Sequence, residues 1–150
     1  MLPEPLWKGP GTIRIVILTP EGKRATQALI DEVQGAIDPG SRGSGEGKAP
    51  PGAKVTVATA DLLYVDATIP GLKAEQGYTK EQIQQNAKEA LNKYLKEINP
   101  GGVVRIREAE SEIINAPGVL DMGDVLINGK RENLQLDIIQ LVTIGEVNYQ

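Results

Sequence analysis

The chain has 150 residues, a formal net charge of −4, 40% hydrophobic and 24% charged residues, and no His, Cys or Phe. This length and hydrophobic content predict a soluble globular chain with one core or two small cores. The missing His and Cys exclude a thiolate nucleophile, a Ser-His-Asp or Cys-His relay, and a zinc or iron site built from nitrogen and sulfur ligands. We therefore expect no cofactor, and no apolar run is long enough to predict a membrane span.

The charge is unevenly distributed along the chain. Residues 1–60 hold 7 Lys/Arg and 6 Asp/Glu, whereas residues 61–150 hold 9 and 14. Neither half has the basic surplus typical of a protein that binds phosphate backbones. Nucleic acid is therefore not an expected partner.

The first third of the chain predicts a strand, a helix and a second strand. Residues 12–18 are rich in β-branched side chains and are bounded by Gly and Pro, which predicts a strand. Apolar residues recur at helical spacing over residues 25–37, and residues 54–59 predict the next strand. Between them, residues 39–52 are so rich in Gly and Pro that almost no side chain is left to pack, and we expect a mobile loop.

That loop does not match a phosphate-binding loop. A P-loop has Ser or Thr after its Lys, whereas Ala49 follows Lys48 here. A P-loop also leads from a strand into a helix, and this loop leads from a helix into a strand. We interpret it as solvated or ordered by a partner, and as the internal segment most sensitive to protease.

The middle of the chain gives the clearest patterns. Residues 62–69 alternate apolar and polar side chains, which predicts a strand whose outward face, including Tyr64 and Asp66, contacts water or a partner. Thr79 with Gln82 three residues later forms a capping box that opens an amphipathic helix. Its apolar stripe consists of Ile83, Ala87, Ala90, Leu91, Tyr94, Leu95 and Ile98.

The last third predicts short elements around one turn, Asn128-Gly129. The fold class is therefore α+β, with two small helix-on-sheet modules of ferredoxin-like layers and mainly antiparallel or mixed sheets. The predicted segments are a strand at 103–106, a helix at 107–115, and strands at 118–122, 125–127, 134–136 and 142–147.

Two acidic groups could hold a metal or act in acid-base catalysis. Glu108, Glu110 and Glu112 begin a predicted helix, where negative charge interacts favourably with the helix dipole. Asp121 and Asp124 flank a Gly but lack the alternating ligands and terminal Glu of an EF-hand loop. We interpret both groups as structural, and we expect no catalytic residue and no metal site.

Three residues are candidates for a partner interface. Trp7 lies in a Pro-rich segment outside every periodic element, so it either packs on the rim of the first sheet or anchors a protein partner. Arg42 and Lys48 are the two cations of the Gly-rich loop. No small-molecule substrate and no membrane contact are predicted.

The order of these motifs resembles the Baseplate J-like family of contractile phage tails and phage-tail-like particles, especially the form found in prophages of Gram-positive bacteria. Each motif consists of turn glycines and core aliphatic residues, so the specificity lies in their order and spacing. In the first half the motifs are Gly9-Pro10-Gly11-Thr12, the helix ATQALIDEVQGAID and Gly52-Ala53-Lys54-Val55. In the second half they are Gly77-Tyr78-Thr79, YLKEIN, Gly102-Val103-Val104-Arg105, Ile113-Ile114, Pro117-Gly118-Val119, Leu126-Ile127-Asn128-Gly129 and Ile144-Gly145-Glu146-Val147.

The resemblance implies a layout and a role. Residues 1–60 correspond to the last part of a middle domain and residues 61–150 to the C-terminal domain. Family members are longer at the front, so we expect a C-terminal fragment or truncated product whose strand at 12–18 exposes an edge. The family implies a non-enzymatic wedge subunit that joins other baseplate or tail proteins around the hub, with self-association in a larger ring also compatible. It implies assembly in the host cytoplasm and a final place in the virion or tail-like particle.

Two other classes remain as alternatives. Residues 12–106 alone have the β-α-β-β-α-β order of an RNA-recognition module, although Tyr64 is the only aromatic on the equivalent strands. An enzyme that uses carboxylates and Lys is the third class, and no acid-base pair has a supporting spacing.

Overall fold

The computed structural model describes residues 2–150, with the side chains described from residue 3 onwards. It divides into two compact units, the first ending at Asp61 and the second spanning Leu62–Gln150. No helix in the described residues is both long enough and apolar enough to cross a membrane.

The first unit is a three-stranded sheet with one helix. Strand β1 (Leu2–Pro5) pairs antiparallel with β2 (Thr12–Ile17), which pairs in parallel with β3 (Lys54–Thr59). Helix α1 (Gln27–Ile37) connects β2 to β3, as a parallel pair requires, and begins at a Thr26 cap. A 3-10 turn (Pro39–Ser41) follows the helix. The core of this unit comprises Ile17, Ala25 and Val57 with Ile15, Leu29, Ile30, Val33 and Ile37 around them.

Both outer edges of this sheet lack free donors at several positions. Leu6 N–H donates to Thr12 O on β2. Because the backbone groups of a strand point alternately to its two sides, those of Glu4 also face β2, whereas those of Pro3 and Pro5 face the outer edge. Proline has no N–H to offer at that edge. On β3, Val55 N–H donates to Asp38 Oδ2 at 2.9 Å. The Gln34 side chain adds bonds to the next groups of that edge, accepting from Val57 N–H at 2.8 Å and donating to Val55 O at 2.9 Å.

The second unit has two helices and short strands in small sheets. Strand β4 lies between β10 and β8, while β5 pairs with β7 and β6 with β9. The bounds are β4 Asp61–Ile69, β5 Lys73–Ala74, α2 Lys80–Glu97, β6 Val103–Val104, α3 Ile106–Ile114, β7 Val119–Asp121, β8 Leu126–Ile127, β9 Leu134–Gln135 and β10 Gln140–Tyr149.

Helix α2 organises the core of the second unit. The Thr79 hydroxyl accepts from Gln82 N–H and the Gln82 side chain accepts from Thr79 N–H, which confirms the predicted capping box. The predicted stripe is buried at Ile83, Ala87, Leu91, Tyr94 and Leu95. It packs against the inward residues of β4 and against α3, whose buried residues are Ile106, Ala109 and Ile113.

Asp66 joins three strands of the second unit. Its carboxylate accepts from Glu146 N–H at 2.8 Å, and its backbone exchanges bonds with Asn128 after β8. Gln150 N–H donates to Ile69 O at 3.4 Å and Gln150 O accepts from Gly71 N–H at 2.8 Å, which is the pattern of a parallel pair, so β10 runs parallel to β4. On β10 the core-packed residues are Val142, Ile144, Val147 and Tyr149. The core-packed positions thus change from even to odd numbers between Ile144 and Val147.

Tyr78 packs flat against Gly118. A Cβ at Gly118 would overlap the Tyr78 ring, and the residue has φ +81°, so both space and backbone favour glycine. Asn86 adds a side-chain bond to Pro117 O at 2.8 Å. The motifs Gly77-Tyr78-Thr79 and Pro117-Gly118-Val119 are therefore in direct contact.

The α+β class and the mixed small sheets are confirmed. The expectation of an exposed edge on the strand at 12–18 is wrong, because β1 covers it. The sequence did not predict β1 because it contains Pro3 and Pro5, and proline is rare in strands other than edge strands. Strand β5 was also not predicted. The strand predicted at 103–106 ends earlier, at Val104, because α3 begins at Ile106.

Shortening a buried leucine of α2 should destabilise the protein strongly. Leu91 and Leu95 are 0% exposed, so Leu91→Ala or Leu95→Ala should lower the free energy of unfolding by ~2 to 5 kcal/mol. Exposed Lys88→Ala and Lys93→Ala should each change it by no more than ~0.5 kcal/mol. Urea unfolding of the four variants tests this, and equal losses in both pairs would contradict the burial assignment.

Gly118→Ala should destabilise more than Gly129→Ala. Both glycines have positive φ, +81° and +75°, but only Gly118 is blocked by a neighbouring ring. The shared backbone strain is ~1 to 2 kcal/mol, and overpacking against Tyr78 should add ~1 to 3 kcal/mol. Thermal melting of the two variants tests this. In the double variant Gly118→Ala/Tyr78→Ala the ring is absent, so most of the stability that overpacking costs should be recovered.

Candidate interaction surface

Trp7 lies in the turn between β1 and β2 and is half-buried. Lys8 Nζ lies 4.4 Å and Arg14 Cζ 5.0 Å from its ring centroid, which is cation-π geometry. Arg14 Nε donates to Glu4 Oε2 at 2.7 Å. The indole thus lies at the rim of the sheet in contact with two cations.

Arg42 and Lys48 are exposed, as the sequence suggests, but their loop is anchored. Lys48 N–H donates to Ala36 O at 3.0 Å and Ala49 N–H to Ile37 O at 2.9 Å. These bonds satisfy carbonyl groups at the end of α1 that have no partner within the helix. The loop is thus held by backbone hydrogen bonds that its composition does not predict.

Asp38 provides the second anchor of the loop. It is 1% exposed, and its carboxylate accepts from Val55 N–H and from Gly43 N–H at 3.0 Å. The Val55 N–H bond, helped by Gly43 and Arg42 and opposed by burial, lowers the pKa of Asp38 below its ordinary value. A helix C-cap carboxylate thus holds both the loop and the edge of β3.

The three predicted interface residues lie on two loops at one end of the first sheet. Lys54 N–H donates to Gly11 O at 2.9 Å, and Gly52 O lies close to Gly11. The turn that carries Trp7 therefore adjoins the loop that carries Arg42 and Lys48. Sequence reasoning missed three neighbours on this surface, Leu6, Lys8 and Lys54. Leu6 and Lys8 flank Trp7 in the sequence, whereas the pairing of β2 with β3 brings Lys54 to the same end.

Glu108, Glu110, Asp121 and Asp124 have structural partners. Glu110 Oε1 accepts from Val125 N–H at 3.1 Å and pairs with Arg131 at 3.0 Å, and Arg131 also pairs with Asp124. Glu108 accepts from the Tyr94 hydroxyl, whose pKa is raised by burial. In residues 2–150 no group of three or more His, Cys, Asp or Glu is placed to hold a metal ion.

The strand order of an RNA-recognition module is present, but its sheet is not. The four strands at 12–17, 54–59, 61–69 and 103–104 belong to three different sheets. Tyr64 is 65% exposed on β4. A single exposed aromatic does not form the platform on which such modules stack bases.

The comparisons with known proteins identify the class. Residues 2–59 match the Baseplate J-like central domain, and residues 65–150 match the Baseplate J-like C-terminal domain. The chain therefore belongs to the Baseplate J-like family, as the order of its motifs indicates.

Two proteins of Bacillus subtilis (strain 168) are similar over almost the whole chain. "Uncharacterized protein YqbT" is 35% identical over 147 residues, which cover 96% of this chain and 41% of the relative. "Phage-like element PBSX protein XkdT" is 34% identical over 146 residues, 95% of this chain and 41% of the relative. The chain thus spans about two fifths of the length of these relatives.

Asp38→Asn should weaken the fold and reduce its dependence on pH. Because the folded pKa lies below the unfolded one, the charged carboxylate stabilises the fold above about pH 4 and that stability is lost as the pH falls through the folded pKa. An Asn amide would also direct N–H groups at Gly43 or Val55. Urea midpoints at a series of pH values should show a lower and flatter curve for the variant.

The control for this prediction is Asp31→Asn, on the exposed face of the same helix. It should leave the urea midpoint close to that of the unaltered chain. Trypsin gives a second readout, because loss of the anchor should speed cutting after Arg42 and Lys48. Equal cutting rates in the unaltered chain and Asp38→Asn would show that Asp38 does not restrain the loop.

Proposed function

We propose that this chain is a non-enzymatic structural subunit of a contractile phage-tail baseplate, of the kind carried by prophages of Gram-positive bacteria. The observation that carries the proposal is the paired match, with the central and C-terminal Baseplate J-like domains following one another in order. The name of one relative, which assigns it to a phage-like element, supports the same role.

Several carboxylates bind backbone groups of the chain itself, which is consistent with a structural role. Asp38, Asp66 and Glu110 each accept hydrogen bonds from backbone N–H groups of another segment. Groups used in this way hold the shape of the two units. We propose that the first unit is the end of the middle domain and that the second is the C-terminal domain.

The subunit would join neighbouring baseplate proteins around the hub, with Trp7, Arg42 and Lys48 at one interface. Self-association within a larger ring is part of the same proposal. Assembly would take place in the host cytoplasm, and the chain would end in the virion or tail-like particle. Nucleic acid, membrane and small molecules have no part in this role.

Co-expression with the tail-sheath, tube and hub proteins of a contractile tail from the same genome tests the proposal. The chain should sediment with assembled particles and localise to the end of the tail by immunogold electron microscopy. A Lys88→Ala variant, which keeps the fold, should be incorporated equally well, unless that helix face is itself an interface. A folded chain that stays at the top of the gradient while particles form without it would contradict the proposal.

A further inference from the structure

The turn between β1 and β2 holds an exposed leucine in an unfavourable backbone conformation. Leu6 has φ +61° and is 65% exposed. Its N–H donates to Thr12 O at 2.7 Å and its C=O accepts from Gly9 N–H at 3.0 Å, so the backbone is held in place. Leucine rarely adopts this region, and Gly or Asn would fit it better. The fold gains little from Leu6, whereas a partner could gain a fixed apolar side chain.

Trp7 adds a second large side chain beside Leu6. Its ring contacts Lys8 and Arg14, and Arg14 is in turn held by Glu4. An indole restrained in this way loses little side-chain entropy when it is buried against a partner. Leu6 and Trp7 thus form a preorganised apolar tip.

Positive charge surrounds this tip. Lys8, Arg42, Lys48 and Lys54 are exposed at the same end of the sheet, and none of them forms an ion pair within residues 2–150. Of the nearby acids, Glu4 is paired and Asp38 is buried. Glu46 is the exposed acid of the same loop. This end of the sheet therefore carries a net positive charge although the chain as a whole is acidic.

We propose that this end of the first sheet docks onto an acidic protein surface with an apolar depression that receives Leu6 and Trp7. The inference rests on the proposed function and specifies the chemistry of one partner. The cations would speed association by electrostatic steering, and the apolar tip would slow dissociation. A protein is favoured over a nucleic acid because the most exposed apolar side chain of the tip, Leu6, is aliphatic and offers no face on which a base could stack.

The test measures binding of the full chain to each purified tail and baseplate protein encoded beside it, at low and high salt, with oligo(dT) as the nucleic-acid probe. Leu6→Asn should keep or raise the melting temperature, because Asn tolerates the left-handed region, and should weaken binding by about tenfold or more. The double variant Arg42→Glu/Lys48→Glu should slow association by about tenfold at low salt and much less at high salt.

The matched control is Lys23→Glu/Arg24→Glu, which makes the same charge change at the opposite end of β2 and should leave the association rate within about twofold. An acidic neighbour that binds the chain equally well after Leu6→Asn and Arg42→Glu/Lys48→Glu would overturn this inference and leave the proposed function standing. Failure of the unaltered chain to bind any neighbour would overturn both. Tight binding of oligo(dT) that the same variants abolish would replace the protein partner with a nucleic acid.

Discussion

Small sheets leave many backbone groups without a neighbouring strand, and polar side chains fill those positions in this protein. Gln34 and Asp38 bond to the outer edge of β3, as a fourth strand would. The Asp66 carboxylate accepts a hydrogen bond from Glu146 N–H on β10, and the Glu110 carboxylate accepts one from Val125 N–H. A buried N–H group that lacks a hydrogen-bond partner lowers the stability of the fold by about 1 to 3 kcal/mol, as mutations in proteins show. The arrangement of the short strands depends on these side chains as much as on the apolar cores.

The long periodic elements could be predicted from the sequence because burial alone specifies them. The apolar stripe and capping box of α2 and the alternation along β4 are confirmed nearly residue for residue. The roles of Gln34 and Asp38 could not be predicted, since a polar residue on a helix usually faces water. Their function depends on β3, which follows more than a dozen residues later. The same reason applies to the interaction surface: Trp7, Arg42 and Lys48 attract attention individually, but only the parallel pairing of β2 with β3 brings their loops to one end of the sheet.

The family resemblance and the physical interpretation depend on different residues. The resemblance follows turn glycines and core aliphatic residues, such as Gly118 under the Tyr78 ring, which specify the shape of each unit. The proposed docking surface depends instead on Leu6 and on exposed cations, which the fold does not require. Shape and partner choice can therefore change separately: a substitution at Gly118 alters the scaffold, whereas one at Leu6 should alter what the scaffold binds.

The closed edges of the first sheet bear on how the protein behaves before it is assembled. A newly made chain can meet other copies of itself, and an exposed strand edge on one copy can pair with the edge of another. Open strand edges under those conditions would promote fibrous polymers. Pro3 and Pro5 remove N–H donors from one edge, and Gln34 and Asp38 occupy two N–H groups and one C=O group of the other. The sheet can thus remain unpolymerised in a crowded pool of identical chains while its end surface stays available.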